Sequence, residues 1–529
     1  MQKTSLRMEK SPSIFNDVIG PVMRGPSSSH TAASWRIAKM CLEALQEPIK
    51  NAVIDFDKNG AWAPNYREQG TTLGIDGGLL GLEMTDNLMK QTEQVAAKRG
   101  ISIIYEVNSF KTKHVNTVRL NLNGINGRRI EALAASLGGG AFEIQELNGF
   151  KVSIRGNYYE LLLFLDEDID IFNPIKLVLP ELKSVNKTLN DGRVLINVKL
   201  SNKISGRTLD LLKDKLSVSE IVLLRPVLPI IAGNEKKVPY TTVDSLIKYS
   251  VDHTYSLGEL GLIYEQSQSG LSANEVSKIM VDHINIINKS IEVGLKGTLY
   301  KDRILPQQSH LIDKGVKEGK ILKGSIINEI IKNVSAIMES KSAMEVVVAN
   351  PTAGSCGTVG GVLKAVADEL KASKEELILA YFAAGLVGVY FANGPGFSAE
   401  EHGCQVECGA SSGMAAAGIV QLFGGTTKQA IDAASMAIQN MIGLVCDPIA
   451  DRVEAPCLGK NVSAAVNALS CATMVAAGYN ALIPLDEVIN AVSQVSNQMP
   501  KCVKCTGKGG LAITKTAYDI KAKLASQLK

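Results

Sequence analysis

The chain has 529 residues, 45% apolar and 21% charged, enough apolar material for several buried cores; at about 150 residues per domain it implies three or four domains. No segment joins low hydrophobicity to a charge run and proline is only 17 residues, which excludes disordered and fibrous classes. Fifty-six Lys and Arg against 53 Asp and Glu leave +3 at pH 7, with no basic stripe to follow a phosphate backbone, so no nucleic-acid partner is expected.

The opening stretch MQKTSLRMEKSPSIFNDVIG has no apolar run of secretory-signal length. A cytoplasmic, reducing setting is expected, in which the nine cysteines are free thiols or metal ligands. Residues 377–392, LILAYFAAGLVGVYFA, are an uncharged run of 16. That is short of the ~20 a bilayer span needs, so the expectation is a helix buried on all sides and no membrane partner.

Residues 11–158 read as mixed α/β, with helical periodicity over 32–45, strand alternation over 51–57 and 118–123, and turns at Asn59-Gly60 and Asn148-Gly149. Residues 159–230 follow the order βαββαβ: a strand in YYELLLFL, a helix over 173–182, two strands about Asn190-Asp191-Gly192, a helix over 205–215 and a strand in VSEIVLLR. This is the ferredoxin-like pattern and resembles the ACT modules that sense amino acids; a structural dimerisation unit is the alternative. Residues 231–240, IAGNEKKVPY, read as a linker. Residues 241–529 are expected to form an all-α domain, with helices over 243–261, 273–294, 323–344, 359–371, 374–392, 427–441, 463–479 and 485–499.

Three kinds of motif carry chemistry. Gly25-Pro26-Ser27-Ser28-Ser29-His30-Thr31 runs into a helix, where backbone N–H groups and hydroxyls suit a substrate carboxylate. An ordinary cap needs one Ser or Thr and explains neither the triple serine nor His30. Thr352-Ala353-Gly354-Ser355, within NPTAGSCGTVGG, is a second small-residue loop ahead of a helix; it lacks the lysine and spacing of a phosphate loop, which leaves a carboxylate or a metal-bound substrate. Eight of nine cysteines lie between Cys356 and Cys505, but the spacing of Cys404, Cys446 and Cys457 matches no zinc motif, and scattered thiols are commonly small core residues.

In chain order SSSHT, PTAGSCG, HGCQ with GMAAAG, GLVCDPI, APC and GKGGLAIT resemble the iron–sulfur-dependent L-serine dehydratases, and these stretches span almost the whole chain. The resemblance implies a single-chain form with fused β and α domains. It implies a 4Fe-4S cluster on Cys404, Cys446 and Cys457 with one iron open, and no PLP. That iron, as a Lewis acid, would bind the hydroxyl and carboxylate of L-serine during β-elimination to pyruvate and ammonia. Residues 11–158 would be the serine-binding β domain, Ser27, Ser28, Ser29, His30, Thr31, Thr352, Ala353, Gly354 and Ser355 would bind substrate, and His30 would serve as base or carboxylate ligand. A homo-oligomer and oxygen sensitivity are also implied.

Three departures qualify the transfer. Where the family carries a Gly-His-x-Thr-Asp-like stretch, often credited with the catalytic histidine, this chain reads Glu68-Gln69-Gly70-Thr71-Thr72, and Gln69 cannot act as a base. Thr358-Val359-Gly360-Gly361 replaces a common Pro before the helix. Some members end in a cluster-capping cysteine, whereas this chain ends Ala-Ser-Gln-Leu-Lys, so Cys502 or Cys505 becomes the candidate cap. Cys408 reads as a packed thiol or alternative ligand, and Cys41 and Cys471 as core residues. Ser109-Phe110-Lys111 starts like a PLP-lysine motif, but too few residues separate it from Gly138-Gly139-Gly140 for that fold; those glycines read as a strand-entry turn. The alternatives to serine deamination are a related lyase acting on cysteine, threonine or another β-substituted acid, and a non-catalytic amino-acid sensor.

Overall fold

A computed structural model of the chain describes residues 12–168, 172–216, 218–238, 240–300, 302–324 and 326–527. The outermost residues of the expected domain limits, 11 and 528–529, lie outside the described residues.

The first unit contains β1 (Val22–Met23), α1 (Ala33–Leu45), β2 (Ile49–Asp57), α2 (Thr71–Leu79), α3 (Thr92–Lys98), β3 (Ser102–Asn108), β4 (Thr117–Gly124), β5 (Arg129–Gly138), β6 (Ala141–Leu147) and β7 (Phe150–Ile154). Six of these strands form a sheet in the order β3-β2-β4-β5-β6-β7. Only β2 and β3 run parallel, and α2 and α3 supply the crossover that a parallel pair requires. On β4 the alternating Val118, Leu120 and Leu122 are buried in one core with Ile37, Cys41 and Ala44 of α1, so a period of two meets a period of 3.6. Asn148 (φ 49°) and Gly149 (φ 80°) make the expected two-residue hairpin between β6 and β7. Gly138-Gly139-Gly140 turns β5 into β6, as expected.

The second unit has the expected order, β8 (Tyr159–Leu165), α4 (Phe172–Val178), β9 (Ser184–Asn190), β10 (Arg193–Leu200), α5 (Gly206–Lys215) and β11 (Glu220–Leu224), in an antiparallel sheet ordered β11-β8-β10-β9. Helix α4 stops short of the expected residue 182, because Pro180 disfavours a helical backbone at Leu179. Leu161, Leu163 and Leu165 of β8 face the unit's own helices, while Leu162 and Phe164 join the core of the first unit. Burial on both faces explains the unbroken apolar run in this strand.

Residues 231–240 hold no helix or strand among the described residues, yet Val238 and Tyr240 are packed into the helical core. The expected linker is thus anchored chain. Beyond it come α6 (Val243–His253), α7 (Leu257–Ser269), α8 (Ala273–Lys296), α9 (Leu311–Lys317), α10 (Ile326–Ser342), β12 (Val347–Val348), α11 (Cys356–Leu370), α12 (Lys374–Asn393), α13 (Ala399–His402), α14 (Cys408–Leu422), α15 (Thr427–Gln439), α16 (Cys457–Ala476), α17 (Leu485–Gln498) and α18 (Lys515–Gln527). The pattern expected over 243–261 divides in two, since Thr254 turns left-handed and Ser256 with Glu259 caps a new helix. The two-residue β12 pairs with β1, tying the helical region to the N-terminal chain.

Helix α14 escapes the periodicity reading. Its sequence, CGASSGMAAAGIVQL, is buried from Cys408 through Val420, so it has no polar face to generate a pattern. Helix α12 is the one described helix long and apolar enough to cross a membrane, and its stretch from Ala380 to Phe391 is buried.

Glu265 on α7 is fully buried, accepting from Ser13 Oγ (2.5 Å) and Ile14 N (2.6 Å). Burial pushes its carboxyl from 4.5 up to about 7. The folded state therefore holds this proton more tightly than the unfolded chain, and stability falls as pH rises from about 4.5 through 7. Glu265→Gln should flatten that decline, by up to about 3 kcal/mol, in urea melts compared at pH 5.5 and 8.

Candidate functional site

The two loops singled out in the sequence meet. Ser28 to Ala32 form a wide helical turn leading into α1, and all five residues are buried. Ser28 Oγ accepts from the backbone N of Ala353, which joins the SSSHT turn to the loop before α11 (3.3 Å). Thr352 donates to Glu407 Oε1 (2.7 Å), and a Cβ placed on Gly354 would stand 2.9 Å from that same oxygen. Gly354 thus leaves room for the carboxyl. Gly354→Val should displace Glu407 from Thr352 and lower kcat/KM by about a hundredfold, since misplacing a site group by an ångström has that scale of effect. Steady-state assays alongside circular dichroism check this.

His30 is fully buried. Its Nδ1 lies 3.1 Å from the hydroxyls of Ser27 and Ser29 and 3.6 Å from Glu400 Oε1, and its Nε2 is 3.1 Å from Asn65 Oδ1. Ser29 Oγ donates to Glu400 (2.7 Å). Burial lowers the imidazole pKa, with Glu400 and then Asn65 opposing, so the ring is neutral around pH 7. Thr31 donates to the carbonyl of Gln69 (3.1 Å), and the Gln69 amide reaches toward Cys505 Sγ (3.9 Å). The position where the resemblance leads one to look for histidine therefore borders a thiol.

Cys404, Cys408, Cys446 and Cys505 pack together with Ala399 and Ala464. Backbone pairing brings two of them side by side: Cys446 N donates to Val503 O and Cys505 N to Cys446 O, each at 2.8 Å. Cys457 begins α16 and belongs by contact to the main helical core, within electrostatic reach of Cys404. Cys502 is exposed, whereas Cys505 is buried. The Cys408 thiol donates to Cys404, pulling Cys404 down to about 7, while burial pushes Cys457 up to about 12. Cys446 is raised first by its hydrogen bond to Cys505 and then by burial.

Among the described residues no three His, Cys, Asp or Glu side chains are spaced to clasp one ion. A four-iron cluster carries its thiolates on separate irons and needs a wider, sulfur-rich, apolar enclosure. The buried thiols with Met441 and Leu444 at their edge have that character, so the donor set fits a cluster and not a lone hard cation.

The late motifs brace this enclosure. Lys460 Nζ donates to Val445 O and Asp447 Oδ1, both at 2.6 Å, and Asp447 Oδ2 accepts from Leu511 N (2.8 Å). Asn461 Nδ2 donates to the carbonyls of Gly354 (2.8 Å) and Cys457 (2.9 Å). GLVCDPI, APC, PTAGSCG and GKGGLAIT are thereby held in one region. Asn65, Lys341, Glu400, Glu407 and Asn461 were not singled out in the sequence. Glu400 stands two positions before the HGCQ stretch, but its tie to Ser29 spans 371 positions and leaves no local signal.

Residues 185–512 match the family model of the serine dehydratase alpha chain. The chain belongs to that family. It is 34% identical over 285 residues to the probable L-serine dehydratase alpha chain of Bacillus subtilis (strain 168), covering 54% of this chain and 95% of that one. To the probable L-serine dehydratase alpha chain of Latilactobacillus sakei it is 40% identical over 202 residues, 38% of this chain and 97% of the relative. It is also 37% identical over 151 residues to the probable L-serine dehydratase beta chain of Bacillus subtilis (strain 168), 28% of this chain and 67% of the relative.

Proposed function

We propose that the protein is an iron–sulfur-dependent L-serine ammonia-lyase, converting L-serine to pyruvate and ammonia. The observation that carries this reading is the meeting of the SSSHT turn with the Thr352–Ser355 loop at Ser28 and Ala353, beside an enclosure of buried thiols. Likeness to relatives named as alpha chain and as beta chain supports a single chain combining both roles. In this reading residues 11–158 are the serine-binding domain, 159–230 an ACT-like module, 231–240 the connection and 241–529 the catalytic domain. The βαββαβ order and the β11-β8-β10-β9 sheet support the module assignment. Oligomerisation belongs to the same reading.

Cys404, Cys446 and Cys457 would hold the cluster, with Cys505, the buried member of the CxxC pair, as displaceable cap. When bound, a cluster with an open iron supplies Lewis acidity toward the substrate hydroxyl. The chain's own groups do the rest. Ser28, Thr352 and Ser355 orient the substrate, and burial excludes water. Neutral His30 takes the Cα proton at a ring nitrogen, and Glu400 stabilises the imidazolium that results. Loss of that proton and of the β-hydroxyl amounts to loss of water and leaves 2-aminoacrylate. Its imine tautomer takes up water and releases ammonia, leaving pyruvate.

Oxygen-free protein assayed for pyruvate, iron and sulfide on one sample tests this. Pyruvate release should scale with cluster content, and air exposure should abolish both; full activity without iron would reject the reading.

A further inference from the structure

Lys341, near the end of α10, is a fully buried lysine whose ammonium donates to the carbonyl of Val453. Among the described residues no carboxylate lies within ion-pair distance of it. Two other buried cations differ, Arg24 pairing with Glu345 (3.4 Å) and Arg452 with Asp302 (2.5 Å), while Arg36 donates to the carbonyl of Gly140 (2.6 Å) and feels the charge of Asp17. Lys460, the other cation beside the thiols, is committed to Asp447 (2.6 Å). A buried ammonium with no carboxylate at ion-pair distance is disfavoured, and an anion brought against it relieves that cost.

Three elements show where that anion would sit. Met338, one turn before Lys341 on α10, abuts Gly357 in the first turn of α11, where a Cβ would stand 2.9 Å from its Cγ, and the charge of Lys341 bears on Cys356, the first residue of α11, on Cys457, and on Glu407, which Thr352 contacts. Helix α11 has 15 residues and points its positive end at the same place. Ammonium and helix dipole thus converge at the start of α11, next to the Thr352–Ser355 loop and on the side of Cys457. We propose that Lys341 receives the α-carboxylate of the substrate against the N-terminal end of α11, fixing the face of the amino acid presented to the thiol enclosure. The assignment rests on the lyase reading above and names a substrate-binding residue for it.

The test uses oxygen-free holoenzyme with iron and sulfide quantified throughout. L-serinamide, which keeps the ammonium and hydroxyl of serine but has no carboxylate, is the probe. In wild type, L-serine should bind at least a hundredfold tighter than L-serinamide inhibits. In Lys341→Met, the KM for L-serine should rise about a hundredfold at unchanged iron and sulfide, while the inhibition constant of L-serinamide moves less than threefold. Lys341→Arg should restore KM to within tenfold of wild type. Equal weakening of serine and serinamide, or loss of iron and sulfide from Lys341→Met, would overturn the assignment in favour of a role in holding the Cys457 loop. Should Lys341→Met fail to fold, similar wild-type affinities for the two compounds still overturn it. Wild type that carries its cluster but forms no pyruvate from L-serine instead overturns the lyase reading, a result distinct from the others.

Discussion

Cys404→Ala should strip iron and sulfide from the protein and lower pyruvate release from L-serine by at least ~10³-fold, because several kcal/mol of transition-state stabilisation leaves with the Lewis acid. Cys446→Ala should do the same. Cys41→Ala supplies the contrast: that thiol is buried in the core beneath the first sheet, far in sequence from the others, and its loss should leave iron content intact. Cys505→Ser is expected to retain iron when prepared without oxygen and to lose it faster in air, as a displaceable cap requires. Iron and sulfide assays with an anaerobic pyruvate time course read all four variants. Unchanged iron in Cys404→Ala would remove the thiol enclosure as the cluster site.

His30→Asn should lower kcat by ~10²–10⁴-fold while cluster content holds, the range expected for loss of a general base. Burial lowers the imidazole pKa below its ordinary 6.5. A base must be unprotonated to act, so the acid limb of kcat/KM should lie below pH 6.5 in wild type. Glu400 raises the same pKa through its charge. Glu400→Gln keeps an oxygen for the Ser29 hydroxyl but removes the charge, so the acid limb should move to still lower pH. A limb that stays in place in Glu400→Gln would assign proton abstraction to another group, with Gln69 excluded by its chemistry.

Much of this protein was legible because its signals are local. The alternation in β4, the Asn148-Gly149 turn and the βαββαβ order arise from neighbours in the chain, and each appears where its pattern lies. The family motifs were equally local. Where local pattern was missing, reading failed: α14, buried all round, shows no periodicity, and residues 231–240 look like linker although Val238 and Tyr240 are core.

The sequence alone determined the βαββαβ order of residues 159–224, the separation of a sheet-bearing N-terminal part from a helical C-terminal part, and the residue types from which a thiol site is built. Only the tertiary structure decided which groups meet. It set Ser28 against Ala353, Glu400 against Ser29 and His30, Cys505 beside Cys446, and buried Lys341 with no carboxylate at ion-pair distance among the described residues. These contacts span tens to hundreds of positions. Their energy comes from burial and from pairing charges and polar groups out of water, which depends on the packed surroundings and leaves no periodic trace along the chain.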